Sequence, residues 1–366
     1  MQQEFNAISL FSGLGGDSLG IENAGGNVIA YNEYDKTAIE SHQLNFPHSI
    51  LIKDESLNDR EAANILKIPD SKFEEYRNNV DLVFAGFPCQ SFSSAGKRKV
   101  DDPRNTMFRE FSRVVNIIKP KYLIGENVKG LLTKKAENGE LYFDIIKAEF
   151  ERIGYRIYDQ VCKANLFRVP QKRERLIIVG IRNDLDQEFT FPVIESNEEP
   201  NLIGIIQFNM EGAIKIEPED YDMTQIPYEC ILTNMDNDET ENNVHPYLQL
   251  KVRPEDEESL TYNDKTYDSL LSFGKRDSPI HVEIIDIRKP SKTIICAYDH
   301  QPRLFVPLRN RNGYYIRPIL PDELKQIQGF PADFQVAGSR QNKIKQIGNA
   351  VPPPLIQEIV TRLIQL

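Results

Sequence analysis

The stretch Ala7-Ile8-Ser9-Leu10-Phe11-Ser12-Gly13-Leu14-Gly15-Gly16-Asp17 sets the architecture of this chain. Its first residues read as a buried strand, Ala7–Phe11, and Asp17–Ala24 reads as a helix. The glycines between them permit a tight turn and let the backbone approach a ligand. A second strand over Val28–Glu33 follows, ending in Asn32-Glu33-Tyr34-Asp35, and then a helix over Lys36–Phe46. An acidic residue about 20 positions after such glycines is placed to bind ribose hydroxyls. The combination implies a nucleoside cofactor and leaves NAD, FAD and S-adenosylmethionine open.

The alternation continues to residue 185. Val80–Phe84, Tyr122–Glu126 and Leu176–Ile181 read as further strands, and Thr106–Ile118 and Leu141–Ile153 as helices. This pattern predicts an α/β fold with a doubly wound, mostly parallel sheet of Rossmann-like type. Near Asp186 the sequence turns acidic, Asn-rich and punctuated by proline, and Asn234–Asn243 reads as an exposed loop. From about Pro290 apolar patterns return: a strand over Thr293–Tyr298 and helices near Pro321–Gln328 and Pro353–Leu366. The expected organisation is a first catalytic segment, 1–185, an inserted smaller domain, 186–289, and a return segment, 290–366, that completes the catalytic domain.

The chain has 366 residues, enough for one large domain and a smaller one. No apolar stretch is long enough to span a bilayer, and residues 1–6 lack the pattern of a signal peptide, so a cytoplasmic protein is expected. The four cysteines, Cys89, Cys162, Cys230 and Cys296, form no CxxC pair, and no metal site is expected. Cys162, Cys230 and Cys296 read as buried small hydrophobes.

The net charge of −11 argues against a nucleic-acid partner until its distribution is considered. Asp186 to Asp268 holds 21 acidic against 4 basic residues, whereas the rest of the chain holds 34 against 40. Local basic clusters govern phosphate binding more than the total does. They include Lys97-Arg98-Lys99, Lys172-Arg173, Arg175 and Arg317.

The chemistry points to Ala85-Gly86-Phe87-Pro88-Cys89-Gln90-Ser91-Phe92-Ser93. Cys89 follows a strand and a turn-stiffening proline, the placement of a nucleophile. Glu126, in Gly125-Glu126-Asn127-Val128, ends a neighbouring strand, so a thiol and a carboxyl can face one cleft. Attack on a pyrimidine ring needs such a pair.

The run Phe87–Ser93 resembles the nucleophile loop of the DNA (cytosine-5) methyltransferases of bacterial restriction–modification systems. The resemblance is ordered and spans most of the chain. Phe11–Gly16 looks like that family's cofactor loop and Asn32–Asp35 like its ribose-binding turn. Asp54 stands where the family has an adenine contact, although Lys53-Asp54-Glu55 departs from the usual Gly-Asp-hydrophobic pattern. Glu126-Asn127-Val128, Gln171–Arg175, Gln328–Pro331 and Gln346–Val351 match four further motifs.

The resemblance implies S-adenosyl-L-methionine as cofactor, held by Phe11, Gly13, Leu14, Gly15, Gly16, Glu33, Tyr34, Asp54, Pro88 and Asn349. It implies catalysis by Cys89, Glu126, Arg173 and Arg175. Cys89 attacks carbon 6 of a cytosine flipped out of double-stranded DNA, and carbon 5 then takes the methyl group. Glu126 meets ring nitrogen 3, Arg175 holds the base edge or a phosphate, and Arg173 contacts a phosphate. The loop Ser91–Pro103, with Gly96 and Lys97 to Lys99, is expected to close over the DNA. Region 186–289 is the expected target-recognition domain, with Lys251, Arg253, Lys265, Lys275 and Arg276 toward the groove. The C-terminal motif is expected to return to the first glycine turn, with Asn349 capping a helix. The resemblance also implies a monomer, nucleoid-associated, with any cognate restriction endonuclease acting separately. Relatives that methylate transfer RNA lack a large recognition domain and usually carry Thr where this chain has Ser93, so DNA is favoured over RNA. A non-catalytic DNA-binding scaffold would not need Cys89, Glu126 and Arg175.

Overall fold

The structure is a computed structural model that describes residues 5–88, 107–136, 138–194 and 198–366. Eight strands belong to the first part of the chain: β1 (Phe5–Leu10), β2 (Gly26–Asn32), β3 (Ile50–Leu51), β4 (Leu82–Ala85), β5 (Tyr122–Asn127), β6 (Tyr155–Lys163), β7 (Gln171–Lys172) and β8 (Glu174–Arg182). Seven of them form a sheet in the order β3-β2-β1-β4-β5-β8-β6. The first five are mutually parallel, and β8 runs against both β5 and β6. The sheet is therefore mostly parallel, as the alternation predicts.

Strands covered on both faces read as continuous apolar runs, which is why Leu82–Ala85 is buried throughout. Alternate residues of each strand enter different cores. Ile8, Val83, Leu123 and Ile178 pack with the helix Met107–Ile118 on one face. Ala7, Phe84, Ile124 and Val179 pack on the other face with Ile21 of α1 (Gly16–Asn23) and with the C-terminal helix Pro353–Ile364. Asp35 caps α2 (Lys36–Asn45) by accepting from the Thr37 and Ala38 amides.

A second sheet of six strands joins Leu271–Phe273, Val282–Ile284, Leu304–Asn310, Gly313–Pro318 and Ile214–Ile216 in that order, with Leu232–Asn234 beside Leu304–Asn310. Its strands come from both sides of position 289. Arg317 is buried in it, not displayed as a surface base: it forms a 2.7 Å pair with buried Glu323 and donates to the Gln207, Asn209 and Pro318 carbonyls. β7 pairs with Ser291–Lys292 in a separate two-stranded ribbon.

Two local expectations are corrected, and one strand was not expected. Strand β6 lies at a sheet edge, and its polar residues (Arg156, Asp159, Gln160) break up the apolar pattern. Only Ser291–Lys292 is paired as strand near 293–298, because the Ile294 amide donates to the Gln171 side chain and a turn follows at Ile295–Tyr298. Asn349 does not cap the C-terminal helix; it ends the helix Arg340–Asn349, whose polar sequence carried no apolar periodicity. Among the described residues no helix is long and apolar enough to cross a membrane.

Candidate active site

The glycine turn leaves β1 with Phe11, Gly13 and Gly15 at φ of 55°, 54° and 88°. This left-handed backbone suits glycine and is strained for a phenylalanine. The Gly15 amide closes the turn on the Ser12 carbonyl at 2.8 Å. Ser12 Oγ is buried without a hydrogen-bond partner. A Cβ at Gly16 would collide with the Val351 carbonyl oxygen, and one at Gly20 would lie 2.7 Å from the Pro353 carbonyl oxygen. The C-terminal motif thus packs on the first turn, as expected.

Glu33 joins the turn to β2. Its Oε2 accepts from the Gly13 amide at 2.8 Å, and its Oε1 from the Tyr34 and Asp35 amides at 2.7 Å. Burial raises its pKa, and the three amides work against that rise. Leu14 is buried in a core that also holds Phe46 and Phe330, and Tyr34 is half exposed. Asp54 makes a local turn, accepting from the Ser56 amide and hydroxyl at 2.9 and 2.7 Å. The Ser56 hydroxyl and amide hold Asp54 below the usual carboxylate range. Asn349 is exposed, but its neighbour Gly348 sits so close to the Cys296 amide that a Cβ would lie 2.5 Å away.

Pro88 is described, whereas Cys89 and the loop Ser91–Pro103 lie outside the described residues. Asn127 supports the approach to Cys89, donating from Nδ2 to the Phe87 carbonyl at 3.1 Å. Glu126 and Arg175 come together: Arg175 Nε lies 2.7 Å from Glu126 Oε1, on adjacent strands β5 and β8. Glu126 Oε2 is 3.7 Å from the place a Cβ would take on Gly86, so no side chain from that position fills the space beside it.

Arg173 corrects the expected phosphate contact. It is 1% exposed. It donates to the Ile294 carbonyl at 3.2 Å and to the Gly348 and Ala350 carbonyls at 3.0 Å. Burial, and then Arg175, push its pKa down. Its work is to fasten the C-terminal motif to the strand that carries Arg175. Gln171 and Gln328 join the same buried network: Gln171 Nε2 donates to Gln328 Oε1 at 2.6 Å, and Gln328 donates to the Ala350 carbonyl. Both lie in quoted motifs, but their pairing across 157 positions has no local signal. Asp17, also missed, is a buried carboxyl at the first turn of α1 that accepts from Ser9 Oγ. An acid in the first turn of a helix is ordinary, so its burial left no trace in the sequence.

Elsewhere, Cys162 and Cys230 are buried with thiols pushed up to about 12, but Cys296 is exposed, against expectation. Lys251 and Arg253 are engaged within the second unit, donating to the Ile280 carbonyl and to the Lys215 carbonyl and Asp220. Lys265, Lys275 and Arg276 are exposed.

A Rossmann-like sheet, a glycine turn closed on the Glu33 carboxylate and a Glu126–Arg175 pair on adjacent strands make up the site. The comparisons define the class. A sequence model of the C-5 cytosine-specific DNA methylase family matches residues 5–365. The type II methyltransferase M.Eco47II of Escherichia coli is 33% identical over 350 residues, covering 95% of this chain and 76% of that protein. M.FnuDI of Fusobacterium nucleatum is 31% identical, covering 97% of this chain and 93% of its own length. A solved putative DNA modification methyltransferase encoded in an E. coli prophage shares the fold, with a TM-score of 0.63, 24% identity and 99% of each chain covered. The S. pombe Dnmt2 methyltransferase structure shares it at a TM-score of 0.65 with 15% identity, covering 99% of this chain and 98% of its own. The chain belongs to the C-5 cytosine-specific DNA methylase family, whose reaction places a methyl group on carbon 5 of cytosine in DNA.

Proposed function

We propose that this chain methylates cytosine within a specific double-stranded DNA sequence as the modification enzyme of a type II restriction–modification system, using S-adenosyl-L-methionine. What supports the reading most is the Glu126–Arg175 pair, with Glu126 Oε2 facing Gly86, which leads through Phe87 and Pro88 to Cys89 in the sequence. The glycine turn suits the cofactor: it offers open backbone at Gly13, a buried, unpartnered Ser12 hydroxyl and the Glu33 carboxylate. Phe11, Gly13, Leu14, Gly15, Gly16, Glu33, Tyr34, Asp54, Pro88 and Asn349 are the residues proposed to hold it. When bound, the cofactor supplies an electrophilic methyl group.

The protein's part begins with Cys89 as thiolate. Its sulfur bonds to carbon 6, and the displaced electron pair makes carbon 5 nucleophilic. Glu126 carries the proton shared with ring nitrogen 3, and Arg175 orients both Glu126 and the base. After carbon 5 gains the methyl group it loses its proton, and Cys89 is expelled. Flipping the cytosine out of the stack costs a few kcal/mol, drawn from protein–DNA contacts.

Target recognition is assigned to the unit built on the second sheet, from about residue 186 to Pro318 instead of Lys289, with Lys265, Lys275 and Arg276 toward the DNA. The enzyme acts as a monomer on nucleoid DNA, and its cognate endonuclease acts separately. The test is duplex DNA carrying 5-fluorocytosine in many sequence contexts, with cofactor present. Fluorine cannot leave carbon 5 as a proton does, so an adduct accumulates and is lost in Cys89→Ser. Cofactor binding with no adduct in any context rejects the DNA reading.

A further inference from the structure

Asp17 is a buried acid that the reaction above does not use. It is 2% exposed, and Ser9 Oγ donates to its Oδ2. Among the described residues it has no basic partner, and Glu126, of like sign, acts on it. An ionised carboxylate without a cation is costly in a protein interior.

Its position points to where a cation arrives. Ser9 pairs in register with Phe84, and Phe84 with Ile124. Glu126 is two residues beyond Ile124, on the same face of the sheet. Asp17 therefore lies beneath the glycine turn on the face and edge that carry the Glu126–Arg175 pair. Gly86 adds no side chain beside Glu126: the nearest atoms to a Cβ there would be Glu126 Oε2, the Phe11 carbonyl and the Phe84 ring, at 3.7–3.9 Å. The unpartnered Ser12 hydroxyl in the same turn is a second sign that a ligand completes this place.

We propose that Asp17 is the buried counter-charge for the cationic centre of the cofactor, so that the turn distinguishes the charged sulfonium from the neutral thioether left after methyl transfer. This rests on the cofactor reading given above. Burial raises Asp17 to about 7, opposed by Ser9 and by the amides at the start of α1, with Glu126 adding to the rise. A cation at the turn favours the carboxylate and drives a proton to solvent. Loss of that cation on methyl transfer lets Asp17 take a proton back, which weakens the hold on product relative to substrate. Asp17 is thus a positioning residue for charge; it acts through the protein interior.

The experiment is titration calorimetry on the full chain with S-adenosylmethionine and S-adenosylhomocysteine, near pH 7, in buffers of different ionisation enthalpy. S-adenosylmethionine is expected to release more protons than S-adenosylhomocysteine. Asp17→Asn is expected to abolish that excess and to weaken S-adenosylmethionine by about tenfold or more, leaving S-adenosylhomocysteine within about twofold. Ser9→Ala removes a hydrogen bond that favours the carboxylate, so it should move the proton release to higher pH; it supplies a test if Asp17→Asn does not fold. An unchanged affinity ratio in Asp17→Asn, or an unmoved proton release in Ser9→Ala, overturns the proposal. If the unaltered protein binds neither ligand, the cofactor reading itself fails.

Discussion

Arg175 Nε meets Glu126 Oε1 at 2.7 Å, with the two side chains 14% and 12% exposed. The contact spans β5 and β8, which run antiparallel, so it tests the site and the sheet together. Glu126→Gln keeps the size of the side chain and removes its exchangeable proton. It is expected to lower kcat/KM for DNA methylation by about a hundredfold or more. Cofactor affinity should stay near that of the parent; a loss of both in equal measure would make Glu126 structural.

Arg173 is predicted to act on stability. Arg173→Lys cannot reach the Ile294, Gly348 and Ala350 carbonyls in a planar fork. Urea unfolding is expected to show a loss of about 2–3 kcal/mol. Arg173→Met, which removes the charge, should leave the dependence of DNA affinity on salt unchanged, because a buried residue releases no phosphate counterions. A shallower salt slope would restore the phosphate contact.

Gly16→Ala forces a methyl group against the Val351 carbonyl oxygen, which is backbone and cannot swing away. The variant should lose roughly 1–3 kcal/mol of stability and also cofactor affinity, because the turn and the C-terminal motif must part. Thermal melts with and without cofactor measure both. A parent-like melt would place the chain end elsewhere.

Two buried groups give opposite pH dependence. His42, stacked on Tyr31 at 3.7 Å, is pushed by burial to about 3. The unfolded chain takes up that proton near pH 6.5, so between 6.5 and 3 it binds more protons than the folded chain. His42 therefore makes stability fall as pH drops through that window, at most about 1.4 kcal/mol per unit. Asp17 holds its proton to about 7 when folded but only to 3.8 when unfolded. Its contribution therefore falls as pH rises from 3.8 to 7. Without cofactor, Asp17→Asn should be more stable than the parent at pH 8 by roughly a few kcal/mol, and the gap should close below pH 4. His42→Phe should flatten the acid limb. Denaturant midpoints from pH 3 to 8 decide both.

Much of this protein is written locally. The sheet strands announce themselves because parallel strands buried on both faces must be apolar throughout, as in Leu82–Ala85. The glycine turn, Glu33, Glu126 and the Pro-Cys run are legible because tight backbone geometry and strand-end chemistry need particular residues within a few positions. The edge strand β6 and the helix Arg340–Asn349 were hidden because exposed elements carry little apolar period.

Burial of charge was decided by the tertiary structure alone. Arg173, Arg175 and Arg317 are the same residue type in the sequence. One proves to be a buried clamp on backbone carbonyls, one a partner of Glu126, and one a buried partner of Glu323. Asp17 and Asp54 likewise differ only in surroundings, the first buried against a serine and the second turned outward on its own loop. A side chain's charge state and task depend on what distant segments place around it, and packing across 175 positions, as between Arg173 and Gly348, leaves no periodic mark in the sequence.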